Sequence, residues 1–238
     1  MKEFIGVNHG IRKIKIDESR KIDSGGYGTV YDLGNGRCAK VYDIPFPVKA
    51  KKDTKLTLKT IRNLDIKGIY KLYELLYNPK NLEFKGYVAE TLQGVRLCNL
   101  TSEMAYKLLY GPIERPINIL IKLETIKNNL SNNGILISDD LSSNIMVHPN
   151  GDFTIFDVDS YLVRPKEKAT VTEENRDLIN TTEAALPIKA ARILGMSYED
   201  IERIRQRSKE IFFDKNNSLN VKVKELSKEK SLVKTLLK

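Results

Sequence analysis

Short apolar runs, several of them alternating with polar residues, dominate the first third of the chain, and apolar residues at helical spacing dominate much of the rest. Ile11, Ile14 and Ile16, around Lys13, form a strand-compatible stretch that ends at Asp17-Glu18. In Lys21-Ile22-Asp23-Ser24-Gly25-Gly26-Tyr27-Gly28-Thr29-Val30-Tyr31 the glycines stand where a strand must turn tightly. Gly34-Asn35-Gly36 predicts a hairpin between strands over Thr29–Leu33 and Arg37–Tyr42. Pro45 and Pro47 end that segment, and Leu56, Leu58 and Ile61 fit a short helix within Asp53–Leu64. Ile69–Tyr77 and Phe84–Glu90 predict two further strands around a turn at Asn78-Pro79-Lys80-Asn81.

After Gly94 the period changes. Pro116 opens a helix on which Ile117, Leu120, Leu123, Ile126 and Leu130 share a face, up to a stop at Asn133-Gly134. Ile135–Ile137, Ile145–Val147 and Phe153–Phe156 predict short buried strands, with Asn150-Gly151 turning the last pair. The remainder predicts helix, one segment being entered through the capping pattern Ser197-Tyr198-Glu199-Asp200.

Composition narrows the class. A chain of 238 residues can form one two-lobed domain or two small ones. With 41% hydrophobic and 30% charged residues it reads as a soluble globular protein. No apolar run has membrane-spanning length, and Met1-Lys2-Glu3-Phe4-Ile5-Gly6 lacks an apolar signal core. Cys38 and Cys98 have neither metal-ligand spacing nor a disulfide pattern, and with His9 and His148 as the histidines a zinc site is not expected. A cytoplasmic protein with no membrane partner is the expectation. The net charge is +9, and residues 201–238 carry 11 Lys/Arg against 5 Asp/Glu. Such basic C-terminal helices suit an acidic partner, although a solvated face with no aromatic stacking platform is the plainer reading.

Two constellations carry chemistry. In the first, Gly25, Gly26 and Gly28 allow backbone N–H groups to approach phosphate oxygens, and Lys40, ten residues after Val30, adds a point charge. A lysine among the strand residues of Arg37-Cys38-Ala39-Lys40-Val41 is costly to bury without an anionic partner. The second runs Asp139-Asp140-Leu141-Ser142-Ser143-Asn144-Ile145-Met146-Val147, then Ile155-Phe156-Asp157-Val158-Asp159. Asn144 and Asp157 offer oxygen ligands that suit Mg²⁺, and Asp139 can orient or deprotonate an attacking hydroxyl.

In this order the two constellations resemble the glycine loop, strand lysine, catalytic loop and metal aspartate of the protein-kinase superfamily. The likeness covers roughly residues 16–161. It implies an α+β, bilobal protein-kinase-like fold, with an N-terminal antiparallel β-sheet lobe over 1–93 and a small, mostly helical C-terminal lobe over 94–238. It also implies ATP and Mg²⁺ as cofactors. The segment Phe84–Gly94 resembles the strand and hinge that hold adenine, so the backbones of Glu90 and Leu92 would contact the base. Met146 would lie beneath it, with Ile22, Val30 and Cys38 above. Lys40, Asp139 and Asn144 would be catalytic, and Asn144 and Asp157 would hold the metal.

The sequence departs from the family in several places. Asp23 stands where the first loop glycine is usual, Ile137-Ser138-Asp139 replaces His-Arg-Asp, and Asp157-Val158-Asp159 replaces Asp-Phe-Gly. This Asp-x-Asp-Ser form is similar to divergent bacterial kinase-like and Rio-type proteins. By spacing, the helix glutamate that pairs with the strand lysine falls near Thr57, with Asp53 the nearest acid. Asp140 precedes Leu141 as in the family motif, whereas Asp139 has the family's distance to Asn144, which favours Asp139. Asp177 either braces the catalytic loop from a later helix or is a surface residue near a helix start. No Ala-Pro-Glu segment follows Tyr161. The resemblance implies an ATP-dependent phosphotransferase, with a protein serine or threonine as first acceptor. A small-molecule kinase of aminoglycoside or choline type and a nucleotide-binding pseudokinase scaffold are the alternatives.

Overall fold

The computed structural model describes residues 1–8, 10–43, 48–100, 114–138, 141, 143–179 and 197–200, with isolated positions beyond. The described residues are α+β and divide into two units. One holds Met1–Gln93 together with Phe156–Val163, and the other holds Gly94–Ile155 with Arg164–Lys238.

The first unit is built on one antiparallel sheet. Its strands are β1 (Lys2–Val7), β2 (Ile11–Ile16), β3 (Lys21–Ser24), β4 (Gly28–Gly34), β5 (Arg37–Tyr42), β6 (Leu72–Tyr77) and β7 (Phe84–Glu90). They lie in the order β2-β1-β6-β7-β5-β4-β3. A hairpin with left-handed φ at Gly34, Asn35 and Gly36 joins β4 to β5, as the sequence predicts. Ile14 and Ile16 of β2 belong to the same buried cluster as Tyr31 of β4, although those strands stand near opposite ends of the order. β2 and β4 also touch one another directly, which requires the sheet to curl on itself. Phe4, Ala39, Val41, Leu76 and Val88 complete that core, each contributing roughly 1.5–3 kcal/mol if fully buried, Ala39 less.

Helix α1 (Val48–Leu64) begins five residues earlier than its apolar pattern indicates and packs against β6. Leu58 and Ile61 are its buried apolar contacts. β1 is a strand that the apolar pattern does not announce, and β6 begins at Leu72 rather than Ile69.

Gly86 shows how closely β7 approaches β5. It sits at φ 151°, and a Cβ there would run into the Lys40 carbonyl oxygen. Gly86→Ala therefore forces both an unfavourable backbone conformation and a parting of the strands, worth roughly 2–4 kcal/mol together. A fall in Tm of roughly 5–15 °C is expected by calorimetry. An unchanged Tm would mean the two strands are not this close.

In the second unit, β8 (Val95–Arg96), helix α2 (Glu114–Asn132), β9 (Ile135–Leu136), β10 (Ile145–Val147) and β11 (Phe153–Ile155) precede a helix α3 over residues 168–179. Pro116 lies in the first turn of α2, and Leu123, Ile126 and Leu130 are buried on one face of it, at the spacing the sequence shows. β8, β10 and β11 form a small antiparallel sheet in the order β11-β10-β8. Ser197 Oγ accepts the Asp200 N–H at 3.1 Å, the cap its pattern predicts. Of the basic segment 201–238 too little is described to locate a surface. No described helix is long and apolar enough to cross a membrane.

Candidate functional site

Directly opposed residues of antiparallel strands share a face. β4 opposes Val30 to Lys40, and β7 opposes Tyr87 to Lys40 and Ala89 to Cys38. Val30, Cys38, Lys40, Tyr87 and Ala89 therefore share one face of the sheet. Ala39, Val41 and Val88 point the other way, into the core.

Residues Phe156–Val163 belong to this same unit and bring two carboxylates to Lys40. Its ammonium is ion-paired to Asp157 Oδ1 and, at 3.0 Å, to Asp159 Oδ2. The Lys40 side chain is 13% exposed, so it meets the anionic partner that a largely buried strand lysine requires. Tyrosines of the sheet and of the loop before β6 complete the cluster. Tyr42 donates to Asp159 Oδ2 at 2.7 Å, Tyr70 to the Tyr87 hydroxyl at 2.7 Å, and Tyr87 to Asp157 Oδ1 at 3.5 Å. Burial holds all three phenols well above their ordinary pKa, so they remain neutral donors.

The charges do not balance. Burial alone would lower the Lys40 pKa, but the charges of Asp159 and Asp157 outweigh it and raise it. For Asp157, burial and the neighbouring Asp159 charge raise the carboxyl to about 6 against the pull of Lys40. Two carboxylates face one ammonium, and the surplus negative charge is carried by oxygen. Such a donor set fits a hard divalent cation. Asp157 is also held at φ 58°, ψ 44°, a left-handed conformation that Asp tolerates better than most residues and that recurs at functional sites.

The glycine turn lies between β3 and β4. A Cβ at Gly28 would strike the Val41 carbonyl oxygen, so the strand pairing itself demands glycine there. At Gly25 and Gly26, by contrast, nothing among the described residues lies within 4 Å of such a Cβ, and neither residue needs a left-handed φ. The fold does not require these two glycines. Asp23 turns its carboxylate onto the Ser24 N–H at 2.8 Å, so part of the turn's donor capacity is already used. Ile22, expected above a base, is 51% exposed on β3, while Val30 and Cys38 are half-buried. Burial pushes the Cys38 thiol up to about 11, and it donates to the Glu90 carbonyl at 3.5 Å. Glu90 ties its N–H and its carboxylate to the Lys71 backbone, and Leu92 lies two residues on, half-buried.

No helix glutamate is paired with Lys40 among the described residues. Thr57, at that position in α1, is fully buried and donates to the Tyr161 carbonyl at 2.6 Å, so Lys40 finds its acids in Asp157 and Asp159 instead. Sequence reasoning assigns no role to Asp159 or Tyr42, although two-residue spacing on a strand puts Tyr42 on the Lys40 face.

In the second unit, Asn144 is 8% exposed at the entrance to β10, its N–H donating to the Leu141 carbonyl at 3.0 Å. Met146, half-buried on β10, stands opposite Arg96 and Thr154. Asp139, Asp140 and Ser142 lie outside the described residues. Asp177 is exposed, the surface alternative, and the buried polar residue of this helix is Asn175 two positions earlier. Asn175 is fully buried, accepts the Ile137 N–H at 2.8 Å, and donates to the Ile135 carbonyl at 2.8 Å and Ser131 Oγ at 3.0 Å. It thereby fixes the backbone two residues ahead of Asp139.

No protein-family model matches the chain, and no curated protein is significantly similar to it.

Proposed function

We propose that this protein is an ATP- and Mg²⁺-dependent phosphotransferase of protein-kinase-like design. The observation that carries the reading is the Lys40–Asp157–Asp159 cluster: a strand lysine opposite Val30 of the strand that the glycine turn opens, paired with two acids whose negative charge exceeds its own. The order of strands β3 to β7 around Lys40 and the open faces of Gly25 and Gly26 support it further.

In this reading Lys40 and the turn hold phosphate oxygens, and Asp157 and Asp159 present carboxylate to the metal. Bound Mg²⁺ would supply charge stabilisation for the transferring phosphoryl group. Tyr42 and Tyr87 orient the two carboxylates through neutral hydroxyls. The first acceptor that the resemblance implies is a serine or threonine of a protein.

The test is phosphate transfer from γ-labelled ATP with Mg²⁺, alongside the shift in Tm that ATP and Mg²⁺ produce. Wild type should transfer or release label and gain thermal stability. Lys40→Ala should lose about 10²-fold or more in turnover. A stability gain without turnover would favour the nucleotide-binding scaffold. If neither property were present, the proposal would be wrong.

A further inference from the structure

A second feature of the first unit lies away from Lys40. Where the curled sheet nearly meets itself, a cleft of about 460 Å³ opens between residues 12–15 of β2 and the β4–β5 hairpin, represented by Leu33–Asn35 and Arg37. β2 is the last strand in the sheet order and, among the described residues, pairs with β1 alone. Consecutive residues of a strand point to opposite faces. A cleft lined by Arg12, Lys13, Ile14 and Lys15 in succession therefore runs along the strand's edge, where its unpaired main-chain groups are presented.

The cleft is strongly basic, and its arginines are held in place. Arg12 Nε donates to Glu74 Oε2 at 2.7 Å, and the same guanidinium pairs with Oε1. Arg37 lies 4.0 Å from Oε1 and 4.4 Å over the ring of Tyr73. Glu74, with a side chain 8% exposed, is thus one buried carboxylate beneath two guanidiniums. Lys13 and Lys15 add two exposed charges, and the acid beside Lys15 is the exposed Glu3 at 3.8 Å. Asp32, near the hairpin, is taken up by Arg20 at 2.5 Å and by the Gly34 N–H. Ile14 and Leu33 provide an apolar floor.

We infer that this cleft binds a short extended segment of a partner protein that carries alternating Asp or Glu side chains, and that the segment adds to the sheet along β2. Main-chain pairing supplies strand addition and the four cations select acidic side chains. Nucleic acid is the less favoured polyanion, because among the described residues no aromatic ring lines the cleft for a base to stack on.

The test uses the full chain and an array of octapeptides with Glu at alternate positions and varied residues between, read by fluorescence anisotropy. A subset should bind saturably and weaken as salt rises. Placing proline at the central position of a binder, with charge unchanged, should weaken it by roughly tenfold or more, since proline cannot donate to the ladder. Lys13→Glu with Lys15→Glu, both on exposed side chains, should weaken it by a similar factor. The inference is overturned if no peptide of the array binds at low salt. It is equally overturned if proline peptides or a mixed-sequence single-stranded RNA bind as well as the best acidic peptide, because either result describes a diffuse basic surface.

Discussion

Asp157→Asn is expected to remove phosphate transfer while leaving the fold as stable as before, or more so, at neutral pH. Asparagine keeps the size of the side chain and tolerates the left-handed backbone at this position. It removes the carboxylate that would meet the metal, and turnover should fall by about 10²–10³-fold or more. The stability effect has the opposite sign. The Asp157 carboxyl lies at about 6 in the fold against an ordinary 3.8, raised first by burial and then by Asp159. Between those values the native state binds more protons than the unfolded chain, so stability falls as pH rises through the window. The penalty is fully expressed above pH 6 and absent below about pH 4. A neutral amide escapes it, and calorimetry at about pH 7.5 should give a Tm at or slightly above that of wild type. That advantage should vanish as the medium is acidified toward the ordinary carboxyl value. A Tm several degrees below wild type in the neutral range would mean that the Lys40 ion pair outweighs the repulsion. Undiminished turnover would remove Asp157 from the site.

The parts of this architecture that depend on near neighbours are legible in the sequence. Gly34-Asn35-Gly36 specifies its hairpin through backbone conformations that few other residues adopt. Leu123, Ile126 and Leu130 specify the buried face of α2 through spacing alone. Lys40 and Asp157 are legible as a pair only through the family resemblance, because no local rule joins residues so distant in sequence. The hidden features depend on long-range partners. β1 is a strand because it bridges β2 and β6, and Lys2, Glu3 and Gly6 give little apolar alternation to announce it. The pairing of Lys40 with Asp159 results from how Phe156–Val163 meets the sheet, which spacing along α1 does not encode.

The choice between Asp177 and Asn175 is legible once helix phase is weighed above chemical likeness. Residues two apart on a helix point about 200° from one another. Val171 and Ile179 are buried at four-residue steps on either side of Asn175, so Asn175 lies on the inner face of α3 and Asp177 does not. The consequence for stability is large. Asn175→Ala strands the Ile137 N–H and the Ile135 carbonyl in a buried setting, at about 1–3 kcal/mol each, and leaves a small void. A loss of roughly 3–5 kcal/mol and a Tm lower by roughly 8–15 °C are expected. Asn175→Asp keeps an acceptor for Ile137 but can meet the Ile135 carbonyl only when protonated. Its deficit relative to wild type should therefore widen as pH rises from about 4 to about 8. Asp177→Ala, on an exposed side chain, should stay within about 0.5 kcal/mol of wild type. If Asp177→Ala proved the more damaging of the two alanine variants, the brace would belong to Asp177 and the register of α3 would have to shift by two residues.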